Sequence, residues 1–538
     1  MKKSDLEETV YDAVVVGAGH NGLVCAAYLA QAGYRVAIVE RRAHVGGATI
    51  TEELFEGFKF STASVVMTLF RQEIMDDLSL NKHGLRVIPR DPSVTALFPD
   101  GRTLTLTYDE EKAEAEISKF SAHDAERYAD FGETMRRIAA VAEPLLLGPS
   151  RTPLFEDIPA LKAVLKQALK LPDSDLSRLM RAMFGSARDL LSEWFTSDEL
   201  KVTLCTDGTV GFDAGPSAPG TAYLMLYHST GATESGRPSW GHVVGGMGGV
   251  SKALVAACEE LGVDILTGMP VERIRVGDNG AEAVECSDGR VVRGRVVVSA
   301  ADPKTTFLKL VDSPKVPQSY RSAIQGRDYE GIAAKIHFAI DRLPTVRGFD
   351  GPGPHLRGTM QILPSMDHLD QVHAEASQGR PPREPHVEVT IPSVLDPDLA
   401  PPGKHVLSMY CQYIPYTLNG QNWDDIKEEW ADSVVEYVKP YLPDLKDITI
   451  GRKVLTPLDL EREIGLPGGN LYHGAMSAYD LFAGRPVAGY PDYHTPVRGL
   501  FLCGSGTRPG GGVFGWPGKN ASEAVRRHLG EDDRTIKD

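Results

Sequence analysis

The residues best suited to chemistry stand near the start of the chain, and they are glycines rather than acids or nucleophiles. Gly17-Ala-Gly19-His-Asn21-Gly22 follows the apolar run Asp12-Ala-Val-Val-Val16 without a gap. Leu23 to Ala32 reads as a helix, Gly33 closes it, and Tyr34 to Val39 reads as a second apolar strand ending in Glu40. Each part has a mechanical reason. Gly17 permits a tight turn, Gly19 lets the backbone approach a pyrophosphate, and Gly22 allows the helix to pack closely on the strand. The helix start, at Asn21 and Gly22, presents free N–H groups to phosphate oxygens. Glu40 arrives 18 residues after Gly22, where a carboxylate reaches a ribose hydroxyl pair. This pattern predicts a dinucleotide site.

A second glycine-rich passage lies at the other end. Gly499-Leu-Phe-Leu-Cys503 reads as a strand, and Gly504-Ser505-Gly506 to Gly510-Gly511-Gly512-Val513 follows it. A helix is expected from about Gly515 to Leu529. Glycine between strand and helix is again where backbone meets ligand, so Gly504, Ser505, Gly512 and Val513 are cofactor-binding candidates. A helix start near Gly512 and Val513 would stabilise negative charge on a reduced ring. A third stretch, Val243-Val-Gly-Gly-Met-Gly-Gly249, precedes a helix from Val250 to Leu261. Strands at Asp264 to Thr267, Pro270 to Val276 and Val291 to Ala300 come next.

These motifs must be positioned by a chain too long for one core. With 538 residues, two or more domains are expected. The predicted fold class is α/β, with a Rossmann-like dinucleotide-binding domain assembled from the discontinuous segments 8–110, 236–310 and 490–530. Segments 111–235 and 311–489 are expected to build an α+β substrate domain. Strands there are predicted at Ala334 to Ile340, Val387 to Ile391 and Val406 to Tyr413. The Pro401-Pro402-Gly403 turn makes the last two a hairpin.

The formal net charge of −16 argues against nucleic acid as a partner. The six cysteines form no CxxC pair, which removes zinc knuckles and dithiol redox motifs and suits a reducing compartment. No metal constellation is legible. Met1 to Val10 has no apolar h-region and no stretch reaches the roughly twenty apolar residues of a spanning helix, so a cytoplasmic protein is expected. Leu161 to Lys170 carries Lys162, Lys166 and Lys170 every four residues, with Leu161, Val164, Leu165 and Leu169 between them. That pattern suits either a helix peripheral to an anionic membrane or a surface helix with a solvated basic face.

Glu40-Arg41-Arg42-Ala-His44-Val-Gly46-Gly47 resembles the E-x-R-x-x-x-G-G segment of the flavoproteins that include amine oxidases and phytoene desaturases. No second GxGxxG or CxxxxC accompanies it, which favours FAD over a nicotinamide. The whole chain resembles the phytoene-dehydrogenase-like flavoproteins, in the branch with bacterial carotenoid ketolases and pyridine nucleotide-disulphide oxidoreductase domain-containing protein 2. The match is carried by Gly17 to Tyr28, Glu193-Trp194-Phe195, Gly245 to Gly249, Leu395-Asp-Pro397, Ala400 to Gly403, His473 to Ser477 and Gly504 to Asn520. The resemblance implies contacts to FAD from Arg41, Arg42, Gly46, Gly47 and Ala48, and an adenine contact from Val271 in Pro270-Val271-Glu-Arg-Ile274. Amine oxidases usually continue Gly-Gly with Arg, whereas Ala48 stands here. His20, His44 and Cys503 are not placed at the flavin ring, so a non-covalent cofactor is expected.

The resemblance further implies two-electron oxidation of a small hydrophobic, carotenoid- or isoprenoid-like substrate. The electron acceptor, whether oxygen, a quinone or a protein, is left open. Two alternatives stand beside this: a flavin amine oxidase, and a flavin-binding scaffold without turnover. Catalytic candidates are Lys335, at the strand position where amine oxidases hold a lysine near the ring, and His337 on the same face by parity. A solvent-facing edge-strand lysine is the other reading of Lys335. Tyr223 and His228 in Thr221 to His228, and His473, are either acid–base groups or core residues. Trp516 either covers the ring or packs its helix, and Trp194 and Phe195 are expected in a pocket wall or core.

Overall fold

The computed structural model describes residues 9–147, 162, 165–230, 240–477, 484–490 and 492–535. Two seven-stranded sheets organise it. In the first, Val10–Val16 lies between Val36–Val39 and Val291–Ser299, parallel to both. Its valines are buried from Val14 to Val16, which is why the run is continuously apolar rather than alternating. Asp264–Leu266 extends the sheet on one side. On the other, Val271–Gly277 and Gly280–Cys286 form an antiparallel flank, and Leu500–Leu502 runs parallel to the end of Val291–Ser299. Three distant stretches thus share one Rossmann-like sheet. Helices His20–Gln31, Gly248–Glu260 and Trp516–Thr535 pack into a single apolar cluster on one face.

The second sheet has the order Thr449–Leu455, Ala333–Ile340, His405–Gln412, His386–Thr390, Thr359–Ile362, Val94–Leu97 and Thr103–Leu106. The hairpin expected across Pro401 to Gly403 is present as the antiparallel pair His386–Thr390 and His405–Gln412. Ala334, Ile336 and Phe338 face an apolar layer with Trp423, Trp430 and Val434 of the helix Trp423–Val438. The alternate residues Lys335 and His337 therefore point to the opposite face. Over that side lie the helices Ala122–Leu147, Asp173–Phe184, Ala187–Trp194, Asp198–Cys205 and Thr221–His228, which share one core.

The expected segment boundaries differ from this arrangement in two places. Val94–Leu97 and Thr103–Leu106, within segment 8–110, belong to the second sheet, because Val94–Leu97 pairs with Thr359–Ile362. Gln318–Gln325, within segment 311–489, packs Tyr320 and Ile324 beneath the first sheet. All six cysteines are buried thiols. Leu161, Ala163 and Val164 of the lysine-spaced segment lie outside the described residues; Lys162, Lys166 and Lys170 are exposed. Among the described residues no helix is long and apolar enough to cross a membrane.

The first and last helices meet through glycine. A Cβ on Gly22 would lie 2.2 Å from the Gly17 carbonyl oxygen, and one on Gly518 would lie 2.2 Å from the Asn21 carbonyl oxygen. Neither neighbour can retreat without moving backbone. By contrast, a Cβ on Gly530, in the same helix as Gly518, meets nothing within 4 Å. Gly518→Ala should therefore destabilise the protein by about 2 kcal/mol or more through overpacking. Gly530→Ala should be neutral or stabilising by about 1 kcal/mol through helix propensity. Thermal denaturation of the two variants beside the parent checks this difference in sign.

Candidate active site

The turn at Gly17 to Gly22 opens into a cavity of about 780 Å³, within the range of ligand sites. Gly19 caps the helix His20–Gln31 in an extended conformation with no side-chain cap. Its missing Cβ leaves open space, with nothing within 4 Å. The backbone can thus be approached where the first helical N–H groups are presented, the arrangement that receives phosphate. Gly17, Gly19, His20, Asn21 and Gly22 all line the cavity.

Glu40 lines it too, its carboxylate accepting from the Ala18 N–H at 2.8 Å and the Arg42 N–H at 2.9 Å. Arg42 pairs with Glu52 at 2.6 Å through Nη2, while its buried Nη1 has no partner among the described residues. Arg41, Gly47, Ala48 and Val271 are further lining residues. Gly46 is not. Its N–H donates to the Ala18 carbonyl, and a Cβ there would strike the Thr49 carbonyl oxygen at 2.8 Å. Gly46 shapes the approach of Gly47 rather than the wall.

The C-terminal passage closes the same cavity with Gly504, Ser505, Gly512 and Val513. Asn21 Nδ2 donates to Ser505 Oγ at 3.1 Å, joining the two chain ends, and Asn21 Oδ1 is buried without a partner among the described residues. The helix begins at Trp516, so Gly512 and Val513 sit in the loop ahead of it rather than at its first turn. Arg485, fully buried, donates to the carbonyls of Ser505, Ala475, Tyr472 and His473. It pins the 472–476 segment to the glycine-rich loop. His473 is held there with a positive φ of 58° and lines the cavity. Burial, opposed by Asp302, lowers its pKa, and burial with His473 nearby pushes His20 down to about 4. Both rings are neutral near pH 7.

The far wall comes from the second sheet. Lys335, Tyr410, Glu388 and Gln361 occupy directly opposed positions on four neighbouring strands. Tyr410, Glu388 and Gln361 line the cavity, with Arg90, Asp207 and His228. His228 Nδ1 meets the Asp207 carbonyl at 2.7 Å. That contact puts the proton on Nδ1 and the lone pair on Nε2; burial keeps the ring neutral. The wall also carries an apolar group, Leu69, Val94, Leu106, Phe131, Met135 and Met225.

Four catalytic candidates fall outside this lining: Lys335, Tyr223, Trp516 and His337, whose buried ring packs on Phe60 with Nδ1 at 2.8 Å from Ser408 Oγ. Lys335 belongs to a central strand and is 1% exposed, so the solvent-facing alternative does not hold. It extends the lining row by one strand, beside Tyr410, with its Nζ unpartnered among the described residues. Burial pulls its pKa down to about 7. Tyr223 is on the core side of its helix, where helical packing rather than the cavity claims it. Trp516 donates from Nε1 to the Leu147 carbonyl at 2.6 Å, and Arg71 and Lys519 lie over its ring. Its indole fixes a helix junction. Trp194 and Phe195 meet Phe131 edge to face in the helical core.

Sequence reasoning missed Glu388, Gln361, Tyr410, Asp207 and Arg90. Glu388 in Val387-Glu388-Val389 carried only the signal of a polar residue at an alternating position.

An uncapped helix start, an open Gly19, a buried carboxylate beside it and orphaned Asn21 and Arg42 atoms fit a dinucleotide. The continuous cavity beyond gives its redox ring a place to meet a second molecule.

Comparison with known proteins agrees. Residues 22–515 match the family described as flavin containing amine oxidoreductase. Pyridine nucleotide-disulfide oxidoreductase domain-containing protein 2 of Mus musculus is 40% identical over 545 residues, covering 96% of this chain and 94% of that protein. A limonene dehydrogenase component from Castellaniella defragrans is 28% identical over 545 residues, covering 96% and 95%. A solved triple mutant of putrescine oxidase superposes with a TM-score of 0.61 at 17% identity, covering 97% of this chain and 99% of that one. At that identity it speaks for the fold. The chain therefore belongs to the flavin containing amine oxidoreductases, and its cofactor is FAD.

Proposed function

We propose that the protein is an FAD-dependent dehydrogenase or oxidase of the phytoene-dehydrogenase-like branch, removing two electrons from an apolar, isoprenoid-like molecule by desaturation or a related oxidation. The observation that supports this best is the wall of Leu69, Val94, Leu106, Phe131, Met135 and Met225 leading from the dinucleotide turn. Bound FAD supplies the two-electron acceptor. The chain's own residues orient the substrate, exclude water and hold protons. His228, neutral with Nε2 as its lone-pair nitrogen, and Glu388, pushed up to about 7 by burial, are suited to exchanging a proton near neutral pH. His473 keeps a neutral ring on the nucleotide side.

Amine oxidation is the second reading. Two cavity carboxyls, Asp207 and Glu388, beside Tyr108, Tyr410 and Trp240 favour it, since acids and aromatic faces attract cations. Anaerobic mixing of the holoprotein with myrcene, geraniol, retinol and putrescine separates the readings. Bleaching of the flavin's visible band by the isoprenoids and not by putrescine is expected. Bleaching by putrescine alone would establish the amine reading. A flavin silent toward all four, yet reducible by dithionite, would favour a binding scaffold.

In the same reading the protein works in the cytoplasm against an anionic membrane, from which a lipophilic substrate enters. Leu176, Met180 and Phe184 recur every four residues on one helix and are exposed, with Phe184 at 62%. Leu165 and Leu169 are exposed as well, Leu169 at 77%, among the exposed Lys162, Lys166 and Lys170. Apolar side chains ringed by lysine suit the lipid interface. The protein should sediment with phosphatidylcholine vesicles containing phosphatidylglycerol, less so in high salt, and Leu169→Glu with Phe184→Glu should release it. Equal partitioning with pure phosphatidylcholine, or none with either vesicle, would contradict this.

A further inference from the structure

The polar face of the second sheet is unusual for a cavity built to hold a hydrocarbon. Gln361, Glu388 and Tyr410 stand in register across Thr359–Ile362, His386–Thr390 and His405–Gln412, with Lys335 next in line. Gln361 is 6% exposed; its Nε2 donates to Thr206 Oγ1 at 3.0 Å and to Glu388 Oε1 at 3.3 Å. Its Oε1 has no partner among the described residues, although it borders the cavity. Arg90, 2% exposed, donates to Thr359 Oγ1 at 3.3 Å and to the Val65 carbonyl at 3.0 Å. Tyr410 is already committed, its hydroxyl donating to Gln412 Oε1 at 2.9 Å.

Arg90, Lys335, Glu388 and Asp207 carry two formal charges of each sign. Glu388 Oε1 lies 3.7 Å from His386 Nε2, but burial pushes that ring down to about 3 and keeps it neutral. None of the four therefore has a charged side-chain partner in ion-pair range among the described residues. Leaving such groups short of partners in a low-dielectric wall costs more than a hydrogen bond returns. The row is therefore incomplete until a molecule in the cavity brings donors and acceptors to it.

Charge balance says what kind of molecule. The four formal charges already cancel, so an ammonium or carboxylate would leave one unit uncompensated in a buried site. Burial moves Glu388, Asp207 and Lys335 toward their neutral forms, Asp207 up to about 6. A hydroxyl can both donate to a carboxyl oxygen of Glu388 or to Gln361 Oε1 and accept from the Arg90 guanidinium. A carbonyl can accept from Arg90 or from protonated Glu388. Either meets the row without adding charge.

We propose that this row recognises a neutral hydrogen-bonding head, a hydroxyl or carbonyl, on an otherwise apolar substrate. The inference rests on the cavity being the substrate site of the oxidoreductase proposed above. It narrows the substrate from a pure hydrocarbon to an isoprenoid-like alcohol, aldehyde or ketone.

The test is equilibrium binding to the holoprotein by titration calorimetry, with four probes of one carbon count: geraniol, myrcene, geranate and geranylamine. Geraniol should bind about tenfold or more tighter than each of the others, the effect of one well-made buried hydrogen bond. Glu388→Met and Gln361→Met, which remove the polar atoms while keeping side-chain length, should each abolish most of that preference, read as the ratio of geraniol to myrcene affinity within each variant. Geraniol binding no better than myrcene overturns the proposal, as does tightest binding of geranylamine or geranate. A geraniol preference that survives both variants also overturns it, because the head would then lie elsewhere. The two readings fail separately. A geraniol preference with a flavin that no isoprenoid bleaches leaves the head site standing and removes the oxidation. Bleaching by myrcene and geraniol alike, with equal affinities, does the reverse.

Discussion

Everything in this molecule depends on how closely three pieces of backbone approach around Gly22 and Gly518. Gly22 lies against the Gly17 carbonyl and Ala300, and Gly518 lies against the Asn21 carbonyl. A side chain at either position would separate the first helix from the first strand or from the last helix. Because they meet, the start of His20–Gln31 faces a cavity and the glycine-rich C-terminal loop closes over it. Asn21 to Ser505 and Arg485 to the Ser505 carbonyl then fix that loop with hydrogen bonds rather than apolar packing. These partners lie up to 484 residues apart in the chain, so the cofactor site can form only once both ends of the chain have folded together.

The second sheet solves a different problem. One face is an ordinary apolar layer against Trp423–Val438; the other must border a substrate without being filled by core. Alternation along each strand supplies both faces at once. Gln412 ties the polar face to the helical layer, its Oε1 accepting from the Gly211 N–H at 2.8 Å and its Nε2 donating to the Thr209 carbonyl at 2.5 Å. Tyr472 is seated between Gly211 and Gly511, where a Cβ would collide with it on either side. Sheet, helices and C-terminal loop are thereby held at a common distance, which keeps the cavity open.

What could be read from the sequence was local. The apolar run before Gly17, the helix after it and the acid at Glu40 are patterns within thirty residues, and the structure builds the unit within a few residues of the expected bounds. The hairpin around Pro401 to Gly403 is legible for the same reason. The row of Lys335, Tyr410, Glu388 and Gln361 is not, because it exists only through the register of four strands separated by loops of varied length. Val94–Leu97 likewise shows alternation but not that its partner begins at Thr359. For Tyr223 and Trp516 the sequence leaves a place at the site and a place in the packing both open. Which way a helix turns them is decided by packing against Ala122–Leu147 and the Leu147 carbonyl, and nothing in their immediate neighbours encodes that.

Gly19 offers the most direct test of the dinucleotide site, since it lines the cavity and a Cβ there meets no protein atom within 4 Å. The measurement is the absorbance spectrum of purified parent and Gly19→Val before and after acid precipitation, with the released chromophore identified by mass. The parent should release FAD into the supernatant, and Gly19→Val should be folded, with a melting temperature close to the parent apoprotein's, and colourless. A parent that is colourless and takes up no added FAD, or a Gly19→Val variant that retains a full complement of it, would contradict the site described.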